Sequence, residues 1–184
     1  MTDTNSTIGL FYGSSTCYTD MAGEKIAAAI DELMGRPTVE RHNIANEPVI
    51  KAQFYNYLIF GIPTWDYGEL QEDWEEIWPD LDELALQGKH VALYGLGDQR
   101  GYPEWFLDAL GYLHDKLVER GAQPVGYWPS AGYEFENSKA LTADGSRFVG
   151  LALDDESEFD KTPERIVHWA VQVLSEFGLR RDNN

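Results

Sequence analysis

Hydroxyl side chains crowd one short turn near the start of the chain, where they could bind phosphate. Within six residues the sequence places four aliphatic hydroxyls and one phenol, on Ser14, Ser15, Thr16, Thr19 and Tyr18. A helical pattern begins at Tyr18, so backbone N–H groups would add donors for an anion. The turn contains no Lys or Arg, unlike the P-loop of nucleotide-hydrolysing proteins. It therefore suits a retained phosphate group; the alternative is that it only caps the helix.

Two large aromatic side chains lie in a second segment, which is bounded by Pro and Gly. Its residues are Pro63, Thr64, Trp65, Asp66, Tyr67 and Gly68. The segment follows an apolar stretch at 57–62 that is typical of a central strand buried on both faces, so we expect a loop here. An exposed indole is a stacking surface for a flat heteroaromatic ring. The alternative is that Trp65 packs against a neighbouring helix.

A third segment is rich in glycine and ends in tyrosine. Its residues are Gly95, Leu96, Gly97, Asp98, Gln99, Arg100, Gly101 and Tyr102. Glycines allow close approach of a ligand to the backbone, Asp98 offers a hydrogen-bond acceptor, and Tyr102 offers a second aromatic face. Together, the three segments would supply phosphate donors, two aromatic plates and ring-edge hydrogen bonding. That combination predicts a pocket for flavin mononucleotide (FMN).

The elements that would position these segments alternate between strand and helix patterns. Strands are predicted at 8–12, 38–44, 57–62, 90–94, 124–127 and 148–153. Helices are predicted at 18–34, from Leu70 with a kink or restart at Pro79, at 106–117, and at 162–177 with Thr162 as N-cap. The alternation predicts a mostly parallel sheet with helices on both faces, in which ligands bind beyond the carboxyl ends of the strands. All three segments fall at such ends.

The stretch at 128–147 is irregular and lies between two strand patterns. We interpret it as an insertion within a single domain that spans residues 1–184. The scattered His42, His90, His114 and His168 show no metal-ligand spacing, so no metal site is expected. The remaining tryptophans in predicted helices are assigned to the core or to grooves; they are Trp74, Trp78, Trp105 and Trp169.

Composition restricts the class of protein. A chain of 184 residues with 43% hydrophobic and 13% aromatic residues has enough apolar surface for one packed domain. The formal net charge of −18 disfavours nucleic acid or an anionic membrane as a partner and favours a basic protein surface. The lone Cys17 excludes an internal disulfide. With no signal-peptide pattern and no apolar run near the ~20 residues of a membrane span, we expect a soluble, cytoplasmic protein.

Three motifs resemble the signature loops of the flavodoxin family. They are Gly-Ser-Ser-Thr-Cys-Tyr-Thr from Gly13, Gly-Ile-Pro-Thr-Trp-Asp-Tyr-Gly-Glu-Leu-Gln-Glu-Asp-Trp from Gly61, and Tyr-Gly-Leu-Gly-Asp-Gln-x-Gly-Tyr from Tyr94. The resemblance extends over about residues 8–177. The segment 133–151 resembles the insertion that splits the fifth strand of long-chain flavodoxins. The first motif and Gly-Tyr-Trp-Pro at 126–129 resemble the bacterial flavodoxin 2 type in particular.

This resemblance implies a flavodoxin-like α/β fold. It is a three-layer α/β/α sandwich around a five-stranded parallel sheet in the order 2-1-3-4-5, with the fifth strand split by the insertion. Flavodoxin is itself the standard example of this strand order, in which FMN binds where the order reverses.

The resemblance also assigns roles to individual residues. The phosphate would be held by hydroxyl and N–H groups of Ser14, Ser15, Thr16, Tyr18 and Thr19. Thr64 would line the site, with Trp65 on the inner ring face and Tyr102 on the outer face. Asp98 would accept from the N3–H of the isoalloxazine, and the Asp66–Tyr67 peptide would bond its N5–H. Cys17 is a departure, because flavodoxins usually have Gly there, so we expect a phosphate turn of somewhat different shape.

The function implied is that of a one-electron carrier, not an enzyme. A monomer would shuttle electrons between basic-surfaced redox proteins, such as an NADPH-dependent flavodoxin reductase and acceptor enzymes.

The second electron transferred to the flavin adds negative charge beside Asp66, Asp98 and the phosphate. At 4 Å and an effective dielectric of 20, such a repulsion is roughly 4 kcal/mol, which predicts a low potential. Between Ala52 and Gly88 there are no Lys or Arg and nine acids: Asp66, Glu69, Glu72, Asp73, Glu75, Glu76, Asp80, Asp82 and Glu83. Most of them fit a solvated helix face. Because the run begins in a flavin loop, we also expect it to steer docking onto basic partners.

Three other functions are less consistent with the sequence. A phosphatase loop of the Cys-x5-Arg kind would need Arg where Gly23 stands. An FMN-dependent enzyme such as a quinone reductase would need a separate acid/base group, and none is apparent. A non-redox interaction module on the same fold would not need to keep Trp65, Asp98 and Tyr102.

Overall fold

The computed structural model describes residues 7–180; positions 1–6 and 181–184 of the predicted domain lie outside the described residues. The strands are β1 (Ile8–Tyr12), β2 (Val39–Asn43), β3 (Tyr57–Trp65), β4 (Glu69–Leu70), β5 (His90–Leu96), β6 (Gln123–Val125), β7 (Trp128–Pro129), β8 (Arg147–Phe148) and β9 (Leu151–Leu153). The α-helices are α1 (Tyr18–Met34), α2 (Glu72–Ile77), α3 (Asp108–Glu119) and α4 (Thr162–Glu176). Short 3₁₀ helices cover Val49–Phe54, Trp78–Glu83 and Phe159–Lys161.

The main sheet is parallel and has the order β2-β1-β3-β5-β6. Strand β4 is a short antiparallel addition to β3, so β5 is the fourth strand of the parallel series. The order 2-1-3-4-5 is therefore confirmed. Strand β6 pairs with the first half of β5, at 90–92, and β9 pairs with its second half, at 94–96. The fifth strand is thus split into two pieces that share one neighbour.

The insertion, which lies between the two halves of the fifth strand, is closed at its base by a short strand pair. There, β7 and β8 pair antiparallel, with Trp128 opposite Phe148. Aromatic rings of the insertion, on Tyr133 and Phe135, pack around Phe106, which lies just before α3. The insertion therefore lies against the α3 side of the sheet.

Apolar side chains fill both faces of the sheet because successive residues of a strand point to opposite sides. Leu10 and Ile59 belong to the core that α1 and α4 cover. Their neighbours Phe11 and Phe60 belong to the core on the opposite face, where α2 and α3 pack. The result is the predicted three-layer sandwich, in which the turns after β1, β3 and β5 meet at one edge.

Two strands run further than the sequence predicts. Strand β3 does not end at Ile62 but continues to Trp65, because β4 folds back and pairs with its last two residues. Strand β5 continues to Leu96, because β9 supplies a pairing partner for 94–96. No strand is predicted from the sequence at β4, and although β9 lies within the predicted strand 148–153, residue type does not show that it pairs with 94–96. The first parts of the second and third site segments are therefore strand, not loop.

Helix boundaries also differ from the predictions. Helix α2 begins at Glu72 rather than near Leu70, and the chain restarts as a 3₁₀ helix containing Pro79, as predicted. Thr162 is the first residue of α4 rather than its N-cap, because its hydroxyl donates a hydrogen bond to Asp155 instead of capping the helix. Trp105 lies in the turn before α3, not in a helix.

Candidate functional site

A cavity of about 210 Å³ opens at the carboxyl edge of the sheet. Its lining draws on all three predicted segments: Thr16, Tyr18, Thr19, Pro63, Thr64, Trp65, Asp66, Leu96, Gly97, Asp98 and Tyr102. Two further lining residues, Asp155 and Glu156, follow β9. Six predicted residues do not line this cavity: Ser14, Ser15, Cys17, Tyr67, Gly68 and Gly95. The fold therefore brings the three segments together, but not every residue in them.

The hydroxyl turn between β1 and α1 contains a buried donor that is not satisfied. The Oγ atom of Ser14 is buried and has no hydrogen-bond partner within residues 7–180. A buried polar atom without a partner is costly, and a phosphate oxygen would satisfy it. Ser15 differs, because its Oγ accepts from Nε2 of Gln71 at 2.8 Å and so joins the turn to the start of α2. The turn fits a phosphate held by neutral donors.

Cys17 immediately precedes α1 and has a left-handed backbone. Its φ is +69°, and its side chain is exposed. Most L-amino acids pay about 1–2 kcal/mol in this region, which glycine enters freely. The position thus has the conformation that suits the Gly usual in related loops. The departure at Cys17 adds backbone strain to the turn.

Two aromatic rings flank the cavity. Trp65, at the end of β3, is 36% exposed, which leaves ring surface free for stacking. The hydroxyl of Tyr102 donates to Oδ1 of Asp66 at 3.2 Å, and this bond raises the pKa of Tyr102. The second and third segments are therefore joined across the cavity mouth. This arrangement favours stacking by Trp65 over the alternative of burial against a helix.

Tyr67 and Gly68 shape the turn next to the cavity. The ring of Tyr67 is 65% exposed and packs edge-on against Trp105, with centroids 5.0 Å apart. Gly68 has a φ of +85°, which favours glycine, and a Cβ there would lie 2.8 Å from Oδ2 of Asp108. Gly68 lines an adjacent groove of about 620 Å³ between β4 and α3. These residues set the path of the chain around the cavity.

The third segment is stabilised by its own aspartate. Oδ1 of Asp98 accepts the backbone N–H groups of Gly101, at 2.8 Å, and Arg100, at 3.2 Å. The N–H of Gly97 donates to the carbonyl of Leu153 at 3.0 Å, which ties the segment to β9. One carboxylate oxygen of Asp98 therefore holds the loop in shape.

Asp155 and Glu156 are site residues that our sequence reasoning missed. They follow a strand of the same parallel sheet, and this position is the signal that could have identified them. Asp155 is buried, which raises its pKa, although the hydrogen bond from Thr162 and the charge of Lys25 act in the opposite direction. Within residues 7–180, the cavity is thus lined by four carboxyl groups and by no basic side chain.

Residues 7–180 contain neither a candidate metal site nor a helix that could span a membrane. No group of His, Cys, Asp and Glu side chains in that range could hold a metal ion. None of the helices there has the length and apolar character needed to cross a bilayer.

Comparison with known proteins identifies the class to which this fold and site belong. The sequence model of the family described as Flavodoxin matches residues 10–169. A solved flavodoxin of Fusobacterium nucleatum bound to flavin mononucleotide superposes with a TM-score of 0.85 at 31% identity, covering 92% of this chain and 98% of that one. The chain belongs to the flavodoxin family.

The relatives of this chain indicate which type of flavodoxin it resembles. Flavodoxin 2 of Escherichia coli K12 is 57% identical over 171 residues, which cover 93% of this chain and 96% of the relative. Flavodoxin 2 of Salmonella typhi is 56% identical over the same shares. A flavodoxin of Synechococcus elongatus is 48% identical over 94% of this chain and 98% of its own. The chain is therefore similar to the flavodoxin 2 type, as its motifs predict.

Proposed function

We propose that this chain, acting as one domain, binds one FMN non-covalently and carries single electrons between redox proteins. The observation that carries the proposal is the cavity at the sheet edge. It joins a phosphate-compatible turn, two aromatic rings and a set of carboxyl groups in a member of the flavodoxin family. Flavodoxins are electron-transfer proteins, so the chain is a carrier rather than an enzyme.

Different residues would hold the phosphate, the ring faces and the ring edge of the cofactor. Ser14 and the N–H groups at the start of α1 would bind the phosphate, which would give the orphaned Oγ of Ser14 its partner. Trp65 and Tyr102 would enclose the ring and exclude water from it. Asp98 would accept from the ring edge. When bound, FMN supplies two successive one-electron steps.

Carboxyl groups around the cavity would set a low potential for the second step. Asp66, Asp98, Asp155 and Glu156 line the cavity without a basic side chain to balance them. Each ionised neighbour opposes added negative charge, by roughly 4 kcal/mol for a pair 4 Å apart at an effective dielectric of 20. The first step adds less charge when it is accompanied by a proton, so the two steps separate.

A stepwise anaerobic reduction followed by visible spectroscopy tests this function. We expect one FMN per purified chain, and two well-separated one-electron steps of which the second has the lower potential. The control is the same titration on free FMN, in which the separation should be absent. A purified chain that does not bind FMN, or that accepts both electrons in one step, contradicts the proposal.

The partners we propose are basic proteins, including an NADPH-dependent flavodoxin reductase. We define the acidic face as Glu69, Glu72, Glu75, Asp115 and Glu119. Four of its members line the groove beside Gly68, where Lys116, the one basic lining residue within 7–180, is paired with Asp82 at 2.7 Å.

We further propose that the carrier is a cytoplasmic monomer. A cytoplasmic location is consistent with its free thiol at Cys17.

A further inference from the structure

A buried amide lies behind the cavity, in the third site segment. Gln99 is 1% exposed, although it directly follows the cavity residue Asp98. Oε1 of Gln99 accepts the backbone N–H of Glu134 at 2.6 Å, and Nε2 donates to the carboxylate of Glu158. Its backbone N–H donates to Oδ2 of Asp154 at 3.1 Å. Within residues 7–180, these three hydrogen bonds of Gln99 all join it to chain outside its own loop.

The insertion continues this attachment along the loop. The N–H groups of Glu136 and Asn137 both donate to the carbonyl of Pro103, at 2.8 and 3.1 Å. The N–H of Lys139 donates to Oδ1 of Asp108 at 2.9 Å. Backbone donors of residues 134–137 thus hold the loop that carries Tyr102, and Gln99 provides the first of these attachments. The donor of Lys139 holds the start of α3.

Glu158 anchors the other end of the amide. Its second oxygen pairs with Lys161 at 2.8 Å and with Arg165 at 2.9 Å. Burial disfavours ionisation of Glu158, but the bonds from Lys161 and Gln99 and the charge of Arg165 outweigh burial and lower its pKa. The carboxylate of Glu158 therefore stays ionised, and its first oxygen needs a hydrogen-bond donor. An amide is the side chain of this length that donates to a carboxylate and also accepts a backbone N–H.

We propose that Gln99 is a positioning residue of the FMN site, holding the Asp98–Tyr102 loop between the insertion and the loop after β9. It does not touch the cavity itself. This inference rests on the proposed FMN binding, and it gives the insertion a role in the site. Without the amide, Asp98 and Tyr102 would lose their fixed position relative to Trp65.

The test replaces Gln99 by glutamate, which has the same shape. At about pH 8 the new carboxylate faces the carboxylate of Glu158, whose second oxygen pairs with Lys161 and Arg165. FMN affinity, measured by quenching of flavin fluorescence, should fall about tenfold or more. Towards about pH 5 the carboxylate pair takes up a proton. The new side chain then donates and accepts as glutamine does, so the ratio of variant to wild-type Kd should approach one.

Gln172→Glu is the matched control. Gln172 also donates to a carboxylate, that of Glu176, at 3.0 Å, but it lies on α4 and does not line the cavity. We expect its affinity for FMN to equal that of the wild type at both pH values. Binding by Gln99→Glu within about twofold of wild type at pH 8 overturns the proposal. So does a loss that is the same at both pH values, because that indicates only damaged packing.

Gln99→Met and a measurement without FMN complete the test. The methionine keeps the length of the side chain and removes both hydrogen bonds. In the apoprotein, amide hydrogen exchange should become faster at Glu134 and across 98–102, while α1 is unaffected. Unchanged exchange overturns the positioning role even if Gln99→Glu does not fold. A wild-type chain that fails to bind FMN would instead contradict the proposed function, which separates the two failures.

Discussion

Neighbouring residues of the phosphate turn perform different tasks. Ser14 has a buried hydroxyl with no hydrogen-bond partner among residues 7–180, whereas the hydroxyl of Ser15 accepts a hydrogen bond from Gln71. The side chain of Cys17 makes no capping hydrogen bond, and its backbone occupies a left-handed conformation that glycine would adopt without strain. The turn therefore combines a proposed binding role at Ser14 with a structural role at Ser15.

Cys17→Gly should stabilise the apoprotein. Relief of the left-handed strain is worth about 1–2 kcal/mol, and the greater freedom of glycine in the unfolded chain offsets about 0.4–1 kcal/mol of it. We expect a net gain of about 0.5–1 kcal/mol in the free energy of unfolding, measured by urea titration. Cys17→Ala is the control: it removes the thiol, keeps the strain, and should remain within about 0.5 kcal/mol of wild type. A Gly variant less stable than the Ala variant by about 0.4–1 kcal/mol, the entropy cost alone, would show that φ at this position costs nothing.

At the scale of elements, helix α3 packs directly on the backbone of the insertion. A Cβ at Gly111 would lie 2.2 Å from the carbonyl oxygen of Lys139. Glycine normally weakens a helix interior, so its presence here is explained by this close approach. The insertion is consequently part of the packed structure on the α3 side, and it is not a loop that merely extends from the sheet.

Gly111→Ala should therefore destabilise the protein despite the better helix propensity of alanine. The propensity gain is about 1 kcal/mol, but the clash is with backbone, which has little room to move. We expect a net loss of about 1–3 kcal/mol in the free energy of unfolding by urea titration. Asp115→Ala, on the exposed side of the same helix, should change it by less than about 0.5 kcal/mol. Stability at or above wild type in Gly111→Ala would refute the tight contact.

Charge is unevenly distributed over the whole molecule. The acidic face begins at the turn beside the cavity and continues along α2 and α3. Asp73 is a special case, because its carboxylate accepts from Nε2 of Gln71 at 2.8 Å and so has a structural task as well. The exposed glutamates Glu69 and Glu72 are the cleaner probes of docking.

Replacing both Glu69 and Glu72 by glutamine should slow electron transfer from a basic-surfaced NADPH-dependent reductase. We expect a severalfold slower second-order rate at about 0.01 M ionic strength, measured by stopped flow, and little difference from wild type at about 1 M, where charges are screened within about 3 Å. The double variant Glu32→Gln and Glu40→Gln removes the same charge from α1 and β2, outside the nine acids and the acidic face, and should have a smaller effect. A rate that ignores both salt and the first pair would contradict electrostatic steering.

Periodicity and residue type alone predicted most of this architecture. Alternating strand and helix patterns define the parallel sandwich, and the three predicted segments contain most of the cavity lining. The ends of β3 and β5 could not be predicted in the same way, because each depends on a strand, β4 or β9, whose pairing is a tertiary event.

What the sequence determined by itself is the chemistry: hydroxyls, aromatic rings and carboxyls at strand ends, and an acidic surface. Only the tertiary structure decided which of those groups share one cavity. It brought Asp155 and Glu156 into the lining and left Tyr67 packed on Trp105 outside it. It also placed Gln99 between Glu134 and Glu158. The physical reason is that residue type is local, whereas contacts between segments 35 and 59 residues apart depend on the path of the whole chain.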